Sequence, residues 1–293
     1  MKLCPLCSGS SGNATYIEAG NARLLIDAGL SCKRITELLE RVGVDPRTLS
    51  AILITHEHID HVRGVNILSK KYDIPVYANA DTWSVLKAPL RDVAAKNVCV
   101  FESDRDFYLA GARILPFSVP HDAVHCVGFT VSAQGHKVGV CTDLGHVDAR
   151  ILSILSGCDL LLFEANHDVD MLMAGSYPYL LKKRILSGNG HMNNDDCGRA
   201  LVKLHETGVK DVILGHLSQE NNYPALAMIA VRSVLEEAGI ANDMQIAVAA
   251  REEPTGCSRF YDRSHRLCRK TEGTLFRRRL RRISKAARTL LHA

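Results

Sequence analysis

The residues Thr55-His56-Glu57-His58-Ile59-Asp60-His61 concentrate more potential metal chemistry than any other stretch of this chain. Four ligand-type side chains fall within six residues. They follow a short apolar run at 51–55 and precede a helical pattern at 62–72. In a turn of this kind alternate side chains point to one side, so His56 and His58 can face one cation while Asp60 and His61 face a neighbour. Imidazole and carboxylate suit Zn²⁺, Mn²⁺ or Fe²⁺, and the absence of cysteine argues against a closed structural zinc site.

Those side chains must be positioned by regular elements on either side. Residues 15–18 and 23–26 flank Ala19-Gly20-Asn21, which reads as a hairpin. Ile35, Leu38, Leu39 and Val42 recur at helical spacing over residues 31–42, and residues 75–78 form another short strand. Strand patterns return at 108–109, 113–118, 127–132 and 137–141, then at 160–164, 211–214 and 245–249. Helical patterns occupy 149–155, 178–186, 195–206 and 225–238. Strand clusters interleaved with amphipathic helices predict sheets packed together with helices outside.

At 293 residues, 46% hydrophobic and 23% charged, the chain suits one large soluble domain, with or without an appendage. A chain of this size can bury roughly three-quarters of its unfolded surface, so it needs no disulfide staples. The ten cysteines are scattered, and several lie in apolar runs, as expected of small buried side chains in a reducing compartment. Cys4-x-x-Cys7 has spacing that could bind zinc or do redox work, but no matching second pair follows, and a structural role in a first strand is expected. No signal-peptide pattern and no apolar run of about 18 residues occurs, so a cytoplasmic protein without a membrane span is expected.

The formal charge of +4 is unevenly distributed. Residues 251–293 hold 13 Lys and Arg against 4 Asp and Glu, whereas the first 250 residues hold 23 against 28. The tail, with Arg277-Arg278-Arg279 and Arg281-Arg282, suits a polyanion such as nucleic acid or acidic lipid, or is simply a solvated terminal helix.

The His-x-His-x-Asp-His pattern after a strand resembles the signature of the metallo-β-lactamase superfamily. The fold implied is α/β, a four-layer αβ/βα sandwich with a dinuclear metal site at the sheet edge. That family takes further ligands from later strand ends, and this chain offers His121, Asp143 and His216 in order. The resemblance implies that His56, His58 and His121 hold one metal, that Asp60, His61 and His216 hold the other, and that Asp143 bridges them. A narrower similarity rests on Ser8-Gly9-Ser10-Ser11-Gly12-Asn13, His121-Asp122-Ala123, Ala165-Asn166-His167-Asp168, Gly190-His191 and His216-Leu217-Ser218-Gln219-Glu220-Asn221-Asn222. Together these blocks resemble the bacterial YycJ (WalJ) family of metal-dependent nucleases, for which 5′→3′ exonuclease activity on DNA is implied. The similarity extends to about residue 250. It leaves a hydrolase domain at 1–254 and a basic tail at 255–293, helical or disordered. Cys4, Cys7 and the arginine-rich tail depart from what the family leads one to expect, and none of them is a proposed ligand.

Two divalent cations about 3.5–4 Å apart can share a water, lower its pKa and clamp phosphodiester oxygens, which makes a bridging hydroxide the expected nucleophile. Asp60 could orient it as well as bind metal. Related phosphodiesterases of this fold place an extra histidine between the bridging Asp and the last ligand, and His191 falls in that interval as a candidate proton donor; the alternative is a turn residue beside Gly190. Asn166 and His167 are candidates for substrate contact or for a structural role. Ser10 and Asn13 are candidates for a turn that approaches phosphate, the alternative being a plain glycine turn. DNA is the expected partner, with RNA or a small nucleotide phosphodiester as alternatives. A non-catalytic nucleic-acid binder is the remaining alternative, although such a module has no need of seven ligands.

Overall fold

The computed structural model describes residues 1–255 and the backbone of residues 258 and 259. Lys2–Cys7 (β1), Ala14–Ala19 (β2) and Ala22–Ile26 (β3) pair as an antiparallel meander. Gly20 turns the expected hairpin at φ +60°, a conformation glycine adopts without a Cβ penalty. Helix Cys32–Arg41 (α1), N-capped by the Ser31 hydroxyl, carries the chain to Ala51–Leu53 (β4), which pairs parallel to β3. Ile59–Val62 (α2) and Val65–Tyr72 (α3) lead to Val76–Asn79 (β5), and Ala80–Leu86 (α4) leads to Val98–Phe101 (β6), again in parallel.

The second half repeats this plan. Phe107–Leu109 (β7), Ala112–Ser118 (β8), Val127–Ala133 (β9) and His136–Cys141 (β10) are antiparallel neighbours. Helix Ala149–Leu155 (α5) crosses to Leu160–Glu164 (β11). Val169–Ala174 (α6), Tyr179–Ile185 (α7) and Asn194–Glu206 (α8) precede Asp211–Gly215 (β12), and Pro224–Glu237 (α9) precedes Gln245–Val248 (β13). Strands β10 to β13 are parallel. One sheet therefore contains β1 to β6 in chain order, and the other runs β13-β12-β11-β10-β9-β8-β7.

Side chains alternate across each strand, and both faces of the central strands are buried. Leu25 and Ile52 pack with Ile35, Leu38, Val65 and Leu68 of α1 and α3. Leu161 and Phe163 pack with Leu155, Leu201 and Val231 of α5, α8 and α9. Leu24, Ile26 and Leu53, out of phase with the first set and equally buried, face the opposite sheet. There Phe101 of one sheet meets Phe129 of the other edge to face, with centroids 5.7 Å apart. Helix, sheet, sheet and helix are thus the four layers expected.

Two elements differ from the sequence reading. The helix expected over 62–72 is broken at Gly64, whose N–H donates to the Ala28 carbonyl at 2.7 Å. A Cβ there would lie 2.3 Å from the Leu30 carbonyl oxygen. The strand expected over 51–55 ends at Leu53, because the Thr55 N–H turns to the Asp27 carboxylate at 2.9 Å. Cys4 and Cys7 lie buried within β1, and burial pushes the Cys7 thiol up to about 12. Trp83 is a packing residue, with Nε1 donating to the Cys99 carbonyl at 2.8 Å. The basic tail expected over 255–293 lies outside the described residues, save Thr255 and the backbone of 258 and 259.

Strands β1, β3, β4, β8, β10, β11 and β12 all end at one edge of the sandwich, and the loops that leave them meet there. Gly29 sits at this crossing: a Cβ would lie 1.6 Å from the Asp60 carbonyl oxygen and 2.6 Å from the Asn13 nitrogen. Both are backbone atoms that cannot rotate away. Gly29→Ala is expected to lose about 2 kcal/mol or more of stability in urea unfolding; an unchanged midpoint would show that this crossing is looser than described.

Candidate metal centre

The loop after β4 and the helix α2 that follows it present His56, His58, Asp60 and His61, with His56 and His61 fully buried. His56 Nε2 and His58 Nδ1 converge to 3.0 Å. Together with His121, from the loop after β8, they form a group whose ligand atoms lie within 4.8 Å of one another. Asp60, His61 and His216 form a second such group. Asp143, from the loop after β10, sits between the two. Its carboxylate lies 3.4 Å from His61 Nε2, 3.3 Å from His216 Nε2 and 4.0 Å from His121 Nε2. The structure thus brings together seven side chains from four separate loops.

Four of the five imidazoles are turned by a partner on the outer nitrogen, whereas His58 directs Nδ1 to His56 Nε2. Asp27 accepts from His61 Nδ1 at 2.7 Å and from the Thr55 hydroxyl at 2.8 Å. With its proton committed to Asp27, the Thr55 oxygen accepts from His56 Nδ1 at 3.0 Å. Glu164 accepts from His216 Nδ1 at 2.8 Å, and the Gly190 carbonyl accepts from His121 Nδ1 at 3.1 Å. In all four rings the Nδ1 proton is held outside, which leaves the Nε2 lone pair facing the centre. Asp27, Asp143 and His216 adopt φ of 60°, 58° and 54°, the left-handed region that L side chains seldom occupy. This backbone aims each side chain inward from its strand end.

The donor set fits divalent cations. His121 Nε2, His216 Nε2 and Asp143 Oδ2 are buried and lack a hydrogen-bond partner among the described residues. Buried polar atoms are rarely left so, and these three point into the space that the two groups share. Hard carboxylate oxygens mixed with imidazole nitrogens suit Zn²⁺, Mn²⁺ or Fe²⁺. Burial disfavours charged His61 and His216, but the carboxylates of Asp143, Asp27, Asp60 and Glu164 outweigh it. They hold His61 well above its ordinary value and His216 at about 10. A cation must therefore displace protons to bind, so affinity falls as pH falls.

Asp27 and Glu164 escaped the sequence reading. Glu164 is a fully buried carboxylate closing the apolar strand β11, and it accepts from the Leu144 and Met192 N–H groups at 3.0 and 3.1 Å as well as from His216. A charged residue at the end of an otherwise apolar buried strand was the available signal. Asp27 occupies the same kind of position after β3.

His191 is brought to the site. Its Nδ1 donates to Glu164 at 2.9 Å, and the ring lines a cavity of about 260 Å³ above the ligands, leaving Nε2 as the nitrogen open to it. Ser10 and Asn166 also line this cavity. Asn166 is anchored by its amide to the His216 carbonyl at 2.8 Å. Asn13 is not brought to the cavity wall. Its carbonyl accepts from the Gly9 N–H at 2.9 Å, and its amide donates to the Gly9 carbonyl at 3.1 Å and faces His61 Nε2 at the same distance. It ties the Gly9 turn to the ligands from beside them, the amide also lying 3.4 Å from the Asp60 carboxylate. His167 is not brought there either: it is 1% exposed, and its backbone is fixed by a bridge to Asn193 while the ring is turned inward. Burial lowers its pKa to about 4.

A sandwich of this topology with seven such side chains at its edge defines a class. Residues 22–217 match the β-lactamase superfamily domain, and the chain belongs to the metallo-β-lactamase superfamily. The exodeoxyribonuclease WalJ of Streptococcus pneumoniae is 40% identical over 249 residues, covering 84% of this chain and 93% of that protein. The exodeoxyribonuclease YycJ of Bacillus anthracis is 37% identical over 234 residues, covering 80% and 89%. Within the superfamily the chain is a member of this WalJ/YycJ family. The metallo-β-lactamase fold protein YhfI of Bacillus subtilis shares the fold, with a TM-score of 0.64 at 19% identity over 87% of this chain and 98% of that chain.

The outer carboxylates generate a test. Glu164→Gln keeps the shape but removes the charge that holds the Nδ1 proton of His216. Metal affinity, measured by competition with a chromophoric chelator, is expected to fall about 10- to 100-fold. Unaltered affinity would remove Glu164 from the account of ligand orientation.

Proposed function

We propose that this protein is a two-metal DNA exonuclease that degrades strands in the 5′→3′ direction. The observation that carries the reading is the convergence of seven ligand-type side chains beneath an open cavity, in a chain 37–40% identical to proteins named exodeoxyribonucleases. His56, His58 and His121 would hold one cation, and Asp60, His61 and His216 the other, with Asp143 shared. Zn²⁺, Mn²⁺ and Fe²⁺ all suit this set. Bound there, divalent ions supply Lewis acidity toward phosphate oxygens and an activated water.

The chain's own groups do the rest. Burial opposes ionisation of Asp60, but His216 and His61 outweigh it and hold its carboxyl far below the usual range. It stays an anion that can accept a proton-bearing group and fix its orientation. His191 is held by Glu164 with Nε2 toward the cavity, where a protonated ring can donate to a departing 3′-oxygen. Burial disfavours the charged ring, yet the Glu164 carboxylate raises its pKa above the ordinary value, which favours the donor form. Ser10 and Asn166 supply polar contacts at the rim. A cytoplasmic setting accords with the buried thiols of Cys126, Cys141 and Cys197, whose pKa values burial pushes far up and away from oxidation.

Purified protein loaded with Mn²⁺ or Zn²⁺ and given 5′- or 3′-labelled DNA is expected to release mononucleotides from the 5′ end. Endonucleolytic cuts, attack on RNA alone, or turnover confined to a small phosphodiester would overturn the assignment. Asp60→Ala is expected to abolish release while retaining the circular dichroism spectrum of the folded protein; persistent activity would exclude its role. His191→Ala is expected to lower kcat about 10²- to 10⁴-fold on unmodified DNA. That loss should shrink on a substrate whose leaving oxygen needs no proton, such as a p-nitrophenyl ester. An equal loss on both would make His191 merely structural.

A further inference from the structure

Helix α7 has no buried residue, and it is held by polar contacts rather than by a core. Lys182 Nζ donates to the Met173 and Gly175 carbonyls, both at 2.7 Å, and Arg184 pairs with Asp122. At its end the Ile185 carbonyl accepts from the His191 N–H at 3.0 Å. The helix is thereby fixed beside the cavity. Leu181 and Ile185, four residues apart on one face, together with Tyr177 just before the helix, line that cavity and are half-buried there. Tyr179 and Leu180 point away and are 72% and 78% exposed.

The cavity therefore has two chemistries. Most of its remaining lining consists of imidazole, carboxylate, amide and hydroxyl groups, whereas this side is one aromatic ring and two aliphatic side chains. None of the three is packed into either core cluster. On the nuclease reading, on which this inference rests, we propose that Tyr177, Leu181 and Ile185 form the subsite for the base of the strand's terminal nucleotide. Tyr177 stacks on the base, and Arg184 faces the neighbouring backbone phosphate.

Three features favour a terminal base. The volume of about 260 Å³ lies just below the roughly 300–1,000 Å³ of small-molecule sites, which suits one nucleotide and not a duplex. A base within a helix is stacked on both faces, so the wall can reach only one that has left the stack. Stacking on an aromatic ring tolerates any base, as exonucleolytic degradation requires. Arg184 is the sole Lys or Arg among the described residues lining the cavity, and it is carried on the same helix as the wall.

The test varies the strand as well as the protein. Two fluorescent single strands are compared, made nuclease-resistant by a terminal phosphorothioate and differing only in whether the 5′-terminal sugar carries a base. Metal-loaded wild-type protein is expected to bind the base-bearing strand about tenfold more tightly in fluorescence anisotropy. Tyr177→Ala is expected to lose that preference and Tyr177→Phe to keep it, with Tyr179→Ala behaving as wild type. Equal affinity of the wild type for the two strands, or a preference that survives in Tyr177→Ala, overturns the subsite. If the wild type still degrades unmodified DNA, the exonuclease reading stands without it. If no strand is bound or cut, both fall.

Discussion

Buried carboxylate–imidazole hydrogen bonds are the constraint on which the site depends. A histidine can present either nitrogen, and a ligand cluster works only if every ring presents the right one. Asp27 decides this for His61 directly and for His56 through the Thr55 hydroxyl, so one carboxylate sets two ligands. Glu164 decides it for His216 and also holds His191. Each carboxylate is buried, and an ion out of water costs several kcal/mol unless paired and hydrogen-bonded. Both are fully engaged: Asp27 accepts from a backbone N–H, a hydroxyl and an imidazole, and Glu164 from two N–H groups and two imidazoles.

The sheets exist, in this sense, to deliver strand ends to one edge. Each half contributes an antiparallel meander followed by parallel strands, and neither half carries a complete ligand set. The first supplies His56, His58, Asp60 and His61; the second supplies His121, Asp143 and His216. Their docking is recorded in bonds across the seam. The Val127 N–H donates to the Thr55 carbonyl at 3.1 Å, and the His216 N–H donates to the Ser8 hydroxyl at 2.8 Å. The left-handed backbone at Asp27, Asp143 and His216 costs roughly 1–3 kcal/mol each. Only a surrounding core of two packed sheets and their helices can hold all three in place.

Much of this was legible in the sequence because strand ends are. An apolar run closed by a ligand-type residue locates both the strand and the direction of the side chain beyond it, as at His56, His121, Asp143 and His216. Strand clusters interleaved with helices pointed to packed sheets with helices outside, and the four layers came from the resemblance of the ligand pattern to the superfamily. What escaped was whatever depended on a partner distant in the chain. Asp27 and Glu164 have the same local context as the ligands but lie behind them, and only the fold separates those positions. The break at Gly64 answers to the Ala28 carbonyl, 36 positions earlier. Asn13 and His167 belong to polar stretches that looked open to substrate, yet one is used to close its own loop and the other is turned inward. Exposure is decided by packing, which spacing does not encode.

The charge distribution now acquires a physical meaning. The first 250 residues carry more acidic than basic groups, and the cavity region concentrates Asp60, Asp122, Asp143 and Glu164 with one arginine among its lining side chains. Protonated His61 and His216 offset part of this charge, and divalent cations that displaced those protons would bring more positive charge to the same place. Were divalent cations bound there, a strand end would meet a local positive centre set among carboxylates, which would favour the reacting phosphate over the rest of the backbone.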